Sequence, residues 1–167
     1  MSREILFKAK RKNWRELSKD EWWVEGSYHH QTDYYGESCD KHYIIDGTET
    51  DMEGYGGHYE IDPETLCQYT GLKDKDGNRI WENDIVLLRE EIQEYEWKAM
   101  VKFGNPNWEY NWGWQLVPIG ECDMNKDILL WIDMEIANCE VIGNIFDDKN
   151  LLDGIDCRRE QEKEKED

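Results

Sequence analysis

Asp62-Pro63-Glu64-Thr65-Leu66-Cys67-Gln68-Tyr69-Thr70-Gly71-Leu72-Lys73-Asp74-Lys75-Asp76-Gly77-Asn78-Arg79-Ile80-Trp81-Glu82-Asn83-Asp84-Ile85-Val86 is the densest run of local structure signals in the chain. Asp62-Pro63 reads as a helix start: Asp accepts from a free backbone N–H, and Pro suits the first helical position. The turn must be short, because Gln68-Tyr69-Thr70 shows no helical stripe. Lys73 to Asn78 is a polar turn, and Gly77 takes positive φ without a steric cost, so Asp76-Gly77 is a hairpin apex. Asn83 is a second positive-φ position, since Asn tolerates the left-handed region. Ile85-Val86-Leu87-Leu88 is a short apolar run with β-branched residues, read as a buried strand.

Outward from this run, the rest of the chain also reads as strands and turns. Ile5, Phe7 and Ala9 alternate with Leu6, Lys8 and Lys10, a first strand with one apolar face. Trp14 to Asp20 is a loop or short helix, and Trp22-Trp23-Val24 is a second strand ending at Gly26. Ser27 to Gly57 is polar, with strand character only at Tyr43-Ile44-Ile45. His58 to Ile61 is extended. Trp97, Ala99, Val101 and Phe103 alternate with polar or flexible side chains as a half-buried strand. Gly104 to Asn107 is a turn. Trp112, Trp114 and Leu116 continue the pattern. Ile128 to Ile132 is expected as an apolar strand, with one turn of helix as the alternative. Cys139 to Ile145 is the closing strand, where Gly143 marks a bulge or a close backbone approach. Asp147 to Leu152 forms a helical turn. The fold expected is mainly β, with α+β as the alternative. Its organisation is a β-rich N-terminal region (1–61), a C-terminal region (62–152) and a charged tail (153–167).

The central run resembles the YopX family of bacteriophage and prophage proteins. Asp62-Pro63-Glu64-Thr65 with Gln68 to Asp74, Asp76-Gly77 to Val86, and Glu140-Val141-Ile142-Gly143-Asn144-Ile145 carry the resemblance. Arg3-Glu4-Ile5 with Phe7 to Arg11, and Glu21 to Ser27, fit the family's opening more loosely. Cys67 and Asn83 stand where the family usually has Gly. Asn83 keeps the turn reading, whereas Cys67 suggests no positive φ is needed there. The resemblance implies a C-terminal SH3-like small β-barrel, with the N-terminal region packed on it, and a phage or prophage origin. It brings no catalytic site. Asp62, Pro63, Tyr69, Gly71, Gly77, Asn83, Asp84 and Gly143 are accordingly read as structural.

The chain has 167 residues and a net charge of −19. That length holds one compact domain or two small ones expected to pack together, since a chain half as long buries a smaller share of its surface. Residues 1–20 hold seven Lys/Arg and three Asp/Glu; taking that +4 from −19 leaves −23 on the rest. So acidic a surface repels phosphates and suits a basic partner or simple solubility. Lys10, Arg11, Lys12 and Arg15, with Trp14, Trp22 and Trp23, form the one basic patch, and charge with stacking is the chemistry of single-strand binding. Nine Trp and nine Tyr stand against three Phe; their polar ends suit half-burial and interfaces.

His29, His30, Cys39 and His42 fall in the polar segment, and the C-x-x-H spacing makes them a candidate zinc set. The alternative is a mobile loop with incidental histidines. Five cysteines without a C-x-x-C fit a reduced compartment. The charged N-terminus and the lack of an apolar run of membrane-spanning length point to a cytoplasmic protein of a bacterial host, with no membrane partner. No nucleophile elbow, Walker loop or H-E-x-x-H occurs. The expectation is therefore a non-enzymatic accessory protein without a cofactor, meeting a basic host or phage protein through an acidic surface. A nucleic-acid-binding barrel using the N-terminal patch and an acidic nucleic-acid mimic are the alternatives, and self-association through a strand edge is open.

Overall fold

The computed structural model describes residues 4–34, 37–47, 57–90, 95–107, 112–120, 127–133 and 138–153. The chain divides into two units, Met1–Gly71 and Leu72–Asp167. Both are built from antiparallel sheet, so the protein is mainly β, as the strand-and-turn pattern predicts. The charged tail expected over 153–167 lies outside the described residues beyond Asp153.

In the first unit, β1 (Phe7–Lys10), β2 (Trp23–Tyr34), β3 (Glu37–Ile45), β4 (His58–Glu60) and β5 (Cys67–Lys73) follow the order β4-β3-β2-β1-β5. The division between the units falls inside β5. β2 passes through Gly26 rather than ending there. A Cβ at Gly26 would lie 2.0 Å from the Ile45 carbonyl oxygen, so glycine permits the close approach of β3. Two 3-10 turns, Trp14–Glu16 and Lys19–Glu21, join β1 to β2. The polar stretch from Ser27 forms the long β2–β3 hairpin, from Ser27 opposite Ile45 to Tyr34 opposite Glu37. This corrects the expectation that only Tyr43 to Ile45 is strand. Ala9, Val24, Ile44 and Ile61 are the unit's core, with Phe7, Tyr28, Tyr59 and Leu66 packed against it.

In the second unit, β6 (Arg79–Trp81) follows the hairpin turn at Asp74 to Asn78. Then come β7 (Asp84–Glu90), β8 (Tyr95–Gly104), β9 (Gly113–Ile119), the helix α1 (Ile128–Asp133) and β10 (Asn138–Asn144). The sheet order is β10-β7-β8-β9. Among the described residues this sheet is open, and the SH3-like closed barrel is not formed. The reason lies in α1. The segment expected as a strand is a helix lying against β9 and β10, the two edge strands, so it adds no ladder between them. Its residues favour this outcome. Ile128 and Trp131 are buried at i,i+3 spacing while Leu129 is exposed, and the Asp127 side chain accepts from the Leu129 N–H at 3.0 Å. Ile80, Val86, Leu88, Trp97, Ala99, Val101, Trp114, Leu116, Ile128, Trp131 and Cys139 form the core.

The structural positions of the central run behave as their chemistry dictates. The Asp62 carboxylate caps the 3-10 turn Pro63–Thr65, accepting from the Glu64 N–H at 3.2 Å. Tyr69 is buried in β5. Gly71 and Gly77 have φ of 88° and 85°. Asn83, at φ 67°, is the one non-glycine residue with positive φ among those described. Asp84 is buried and accepts from the Trp81 N–H at 2.8 Å, closing the tight turn between β6 and β7. Gly143 sits where the β10–β7 register shifts, and a Cβ there would lie 2.5 Å from an Asp148 carboxylate oxygen.

Candidate functional site

Two constellations of the first unit hold the residues that the sequence singles out. The first surrounds Lys10. The strand alternation that turns Ala9 to the core would send Lys10 to the other face, yet Lys10 is only 2% exposed. Its side chain is covered by the two 3-10 turns and the start of β2. The Lys10 Nζ lies 4.0 Å from the Trp14 ring, 4.6 Å from Trp22 and 5.5 Å from Trp23. Trp14 and Trp22 meet edge-to-face at 4.8 Å, and the Trp22 indole N–H donates to the Leu17 carbonyl at 3.0 Å. The result is an aromatic cage around an ammonium, the arrangement that a ring quadrupole stabilises. Arg11 lies over Tyr59 at 4.3 Å, and Arg15 lies over Trp14 at 4.4 Å. The Lys12 ammonium donates to Glu60, and that hydrogen bond, with the carboxylate charge, raises its pKa. The cations and indoles of the basic patch are therefore brought together, with each cation on a partner within the unit.

The second constellation lies on the β2–β3 hairpin. His30 stands opposite His42 in the ladder, so both imidazoles share one face. They stack at 4.3 Å with an interplanar angle of 3°. Asp40 joins them because residues i and i+2 of a strand share a face. Its Oδ1 lies 2.7 Å from His30 Nε2 and 3.4 Å from His42 Nε2. The hydrogen bond to His30 is the main influence holding the Asp40 carboxyl below its ordinary value; desolvation opposes it, and the His42 charge adds to it. On the other side of the His42 ring, Nδ1 lies 2.6 Å from the Tyr28 hydroxyl. Burial, and then the Asp40 charge, push the Tyr28 hydroxyl above its ordinary value, so it stays neutral. Asp40 and His42 also line a shallow cleft with Lys12, Glu60 and Asp62.

Of the zinc set expected from sequence, His30 and His42 converge, while His29 and Cys39 do not. His29 stacks on Tyr43 at 6.5 Å. The Cys39 thiol donates to the Gln31 carbonyl at 3.5 Å. Strand alternation explains the split, since His29 and Cys39 are odd-numbered neighbours of the converging residues. The donor that sequence reasoning missed is Asp40. Reading Ser27 to Gly57 as a loop hid the signal, because D-x-H and H become one cluster only once the hairpin register is known.

The YopX family, described as YopX protein, matches residues 6–153. The chain belongs to this family. No curated protein matches the sequence. Among solved structures, protein EF1440 from Enterococcus faecalis is similar at 20% identity and a TM-score of 0.46, over 91% of this chain and 100% of that one. The family match spans both units described above, from β1 to the 3-10 turn Lys149–Leu152. No helix among the described residues is long and apolar enough to cross a membrane.

Proposed function

We propose that this YopX protein is a non-catalytic protein-interaction module, a phage or prophage accessory protein acting in the cytoplasm of a bacterial host. Its partner is a basic host or phage protein, met through carboxylates. The observation that carries this reading is the engagement of the basic patch. Lys10 sits inside its indole cage, Arg11 and Arg15 lie on aromatic faces, and Lys12 is bonded to Glu60. A single-stranded nucleic acid needs open rings for stacking and open cations for its phosphates. Here the chain's own cations occupy faces of those rings. In the second unit Lys75 and Arg89 likewise meet Glu140, and Arg89 also meets Glu96. With 39 Asp and Glu against 20 Lys and Arg, the charge left for a partner is negative.

The test is a pulldown of the tagged protein from a bacterial lysate treated with nuclease, eluted with rising salt, alongside a gel shift with a single-stranded oligonucleotide. The reading expects basic proteins that survive nuclease and leave with salt, and no shift of the oligonucleotide. Recovery of nucleic acid, or a shift lost in a Lys12→Ala/Arg15→Ala variant, overturns it in favour of the nucleic-acid-binding reading.

A further inference from the structure

We propose that His30, Asp40 and His42 form a binding site for a divalent transition metal ion of the zinc class on the β2–β3 hairpin. One nitrogen from each imidazole and one carboxylate oxygen lie within 4.8 Å of one another. Two imidazoles and a carboxylate are a donor set suited to zinc and its neighbours in the first row, and unsuited to magnesium or calcium. The Asp40 spacings are close to what an ion requires, and the two imidazoles, stacked parallel at 4.3 Å, need the exposed His30 ring to turn so that both lone pairs meet one ion. Metal–ligand bonds of about 2.0–2.2 Å in a tetrahedral site put donors about 3.3–3.6 Å apart. The Asp40–His42 separation of 3.4 Å already meets this. The Asp40–His30 separation of 2.7 Å needs to open slightly, a change within the reach of an exposed carboxylate.

The surroundings supply what a bare cluster lacks. With its hydrogen on Nδ1, His42 donates to the neutral Tyr28 oxygen and presents the Nε2 lone pair to the cluster. Metal-bound histidines are oriented by such a partner on the far ring nitrogen. The Tyr28 ring also stacks on His42 at 5.9 Å, and its body packs into the first unit's core, so the ring is held from two directions. The ladder register places His30 opposite His42, so both imidazoles come from paired strands. The open cleft beside Asp40 and His42 leaves further coordination positions to water or to an added ligand.

The test uses the full chain with its affinity tag removed, freed of metal by a chelator, and titrated with Co2+ and then Zn2+. The expected result is one equivalent of Co2+ with visible d–d absorption and no thiolate-to-cobalt band, displaced by Zn2+. His30→Ala and His42→Ala each abolish that equivalent. Tyr28→Phe weakens it by roughly 10–100-fold, the range for loss of a supporting partner. His29→Ala and Cys39→Ser leave it unchanged. Circular dichroism checks that the variants fold, and histidine NMR on the unaltered chain gives a readout without substitution: Zn2+ shifts the His30 and His42 ring nitrogens and leaves His29 in place. No binding, binding that survives His30→Ala/His42→Ala, or a thiolate band overturns the proposal, and the trio is then a hydrogen-bonded surface cluster.

Discussion

Asn83 shows how much a single backbone angle can demand. Its φ of 67° closes the turn between β6 and β7, its N–H donates to the Val101 carbonyl at 2.8 Å, and its side chain accepts from Lys102. A left-handed residue with a Cβ costs about 1–2 kcal/mol, less for Asn than for Ala. Asn83→Ala and Asn83→Gly both remove the Lys102 bond, so the difference between them isolates the angle. Chemical denaturation should find Asn83→Ala less stable than Asn83→Gly by about 1 kcal/mol; equal values would mean that the turn relaxes. Asp74 poses the acid-base counterpart. Burial pushes its carboxyl up, but bonds from Asn78, Val141 and Asp76 outweigh burial and hold it below its ordinary value. A folded-state pKa below the unfolded one gives stability that is present above about pH 4 and lost as acid titrates the folded carboxyl. Denaturant midpoints measured from neutral pH downward should fall more steeply for the wild type than for Asp74→Asn. Parallel slopes would remove Asp74 from the acid response.

The elements divide into those whose local chemistry shows in the sequence and those decided by tertiary contacts. The hairpin apex at Asp76-Gly77, the strand β7 and the bulge at Gly143 were legible, because each rests on a residue type with one conformational or packing preference. The β2–β3 hairpin is legible only at its base, at Trp23-Val24 and at Tyr43 to Ile45. Beyond that base its residues are mostly polar, and the ladder is held by backbone bonds and stacked pairs such as His30 on His42 and His29 on Tyr43. Helix α1 is the alternative to the strand expected first over Ile128 to Ile132, because five apolar residues fit either period and the burial of Ile128 with Trp131 decides between them. The candidate metal set was half legible for the same reason, since its third member depends on register. Lys10 was legible as a cation but not as a buried one. Its stem and ammonium fill the space between three indoles, so truncation removes packing as well as charge. Lys10→Ala should therefore destabilise the chain by about 1–3 kcal/mol, and Lys10→Met should recover the packing part while losing the cation–π part of about 0.5–2 kcal/mol. Tryptophan fluorescence during urea unfolding reads both. Equal loss in the two variants would show that the charge, not the stem, holds the cage.

At the scale of the whole molecule, a net charge of −19 on 167 residues opposes compaction. Two effects of salt compete here. Screening weakens the ion pairs Lys75–Glu140, Arg89–Glu140 and Arg89–Glu96, and it also weakens the repulsion among carboxylates. Exposed ion pairs contribute little to stability, and many contribute nothing measurable. The repulsion, by contrast, is summed over the whole excess of 39 acids over 20 bases. The Debye length shrinks from about 30 Å at about 0.01 M salt to about 8 Å at about 0.15 M, which removes the long-range repulsive part first. Thermal unfolding in sodium chloride should therefore give a Tm that rises over this interval and then levels off. Each 1 kcal/mol of relief corresponds to about 2–4 °C for a chain of this length. Chloride is the salt to use, because sulfate would raise Tm through exclusion from the surface whatever the charge. A Tm that falls with sodium chloride would mean that the paired charges outweigh the unpaired ones.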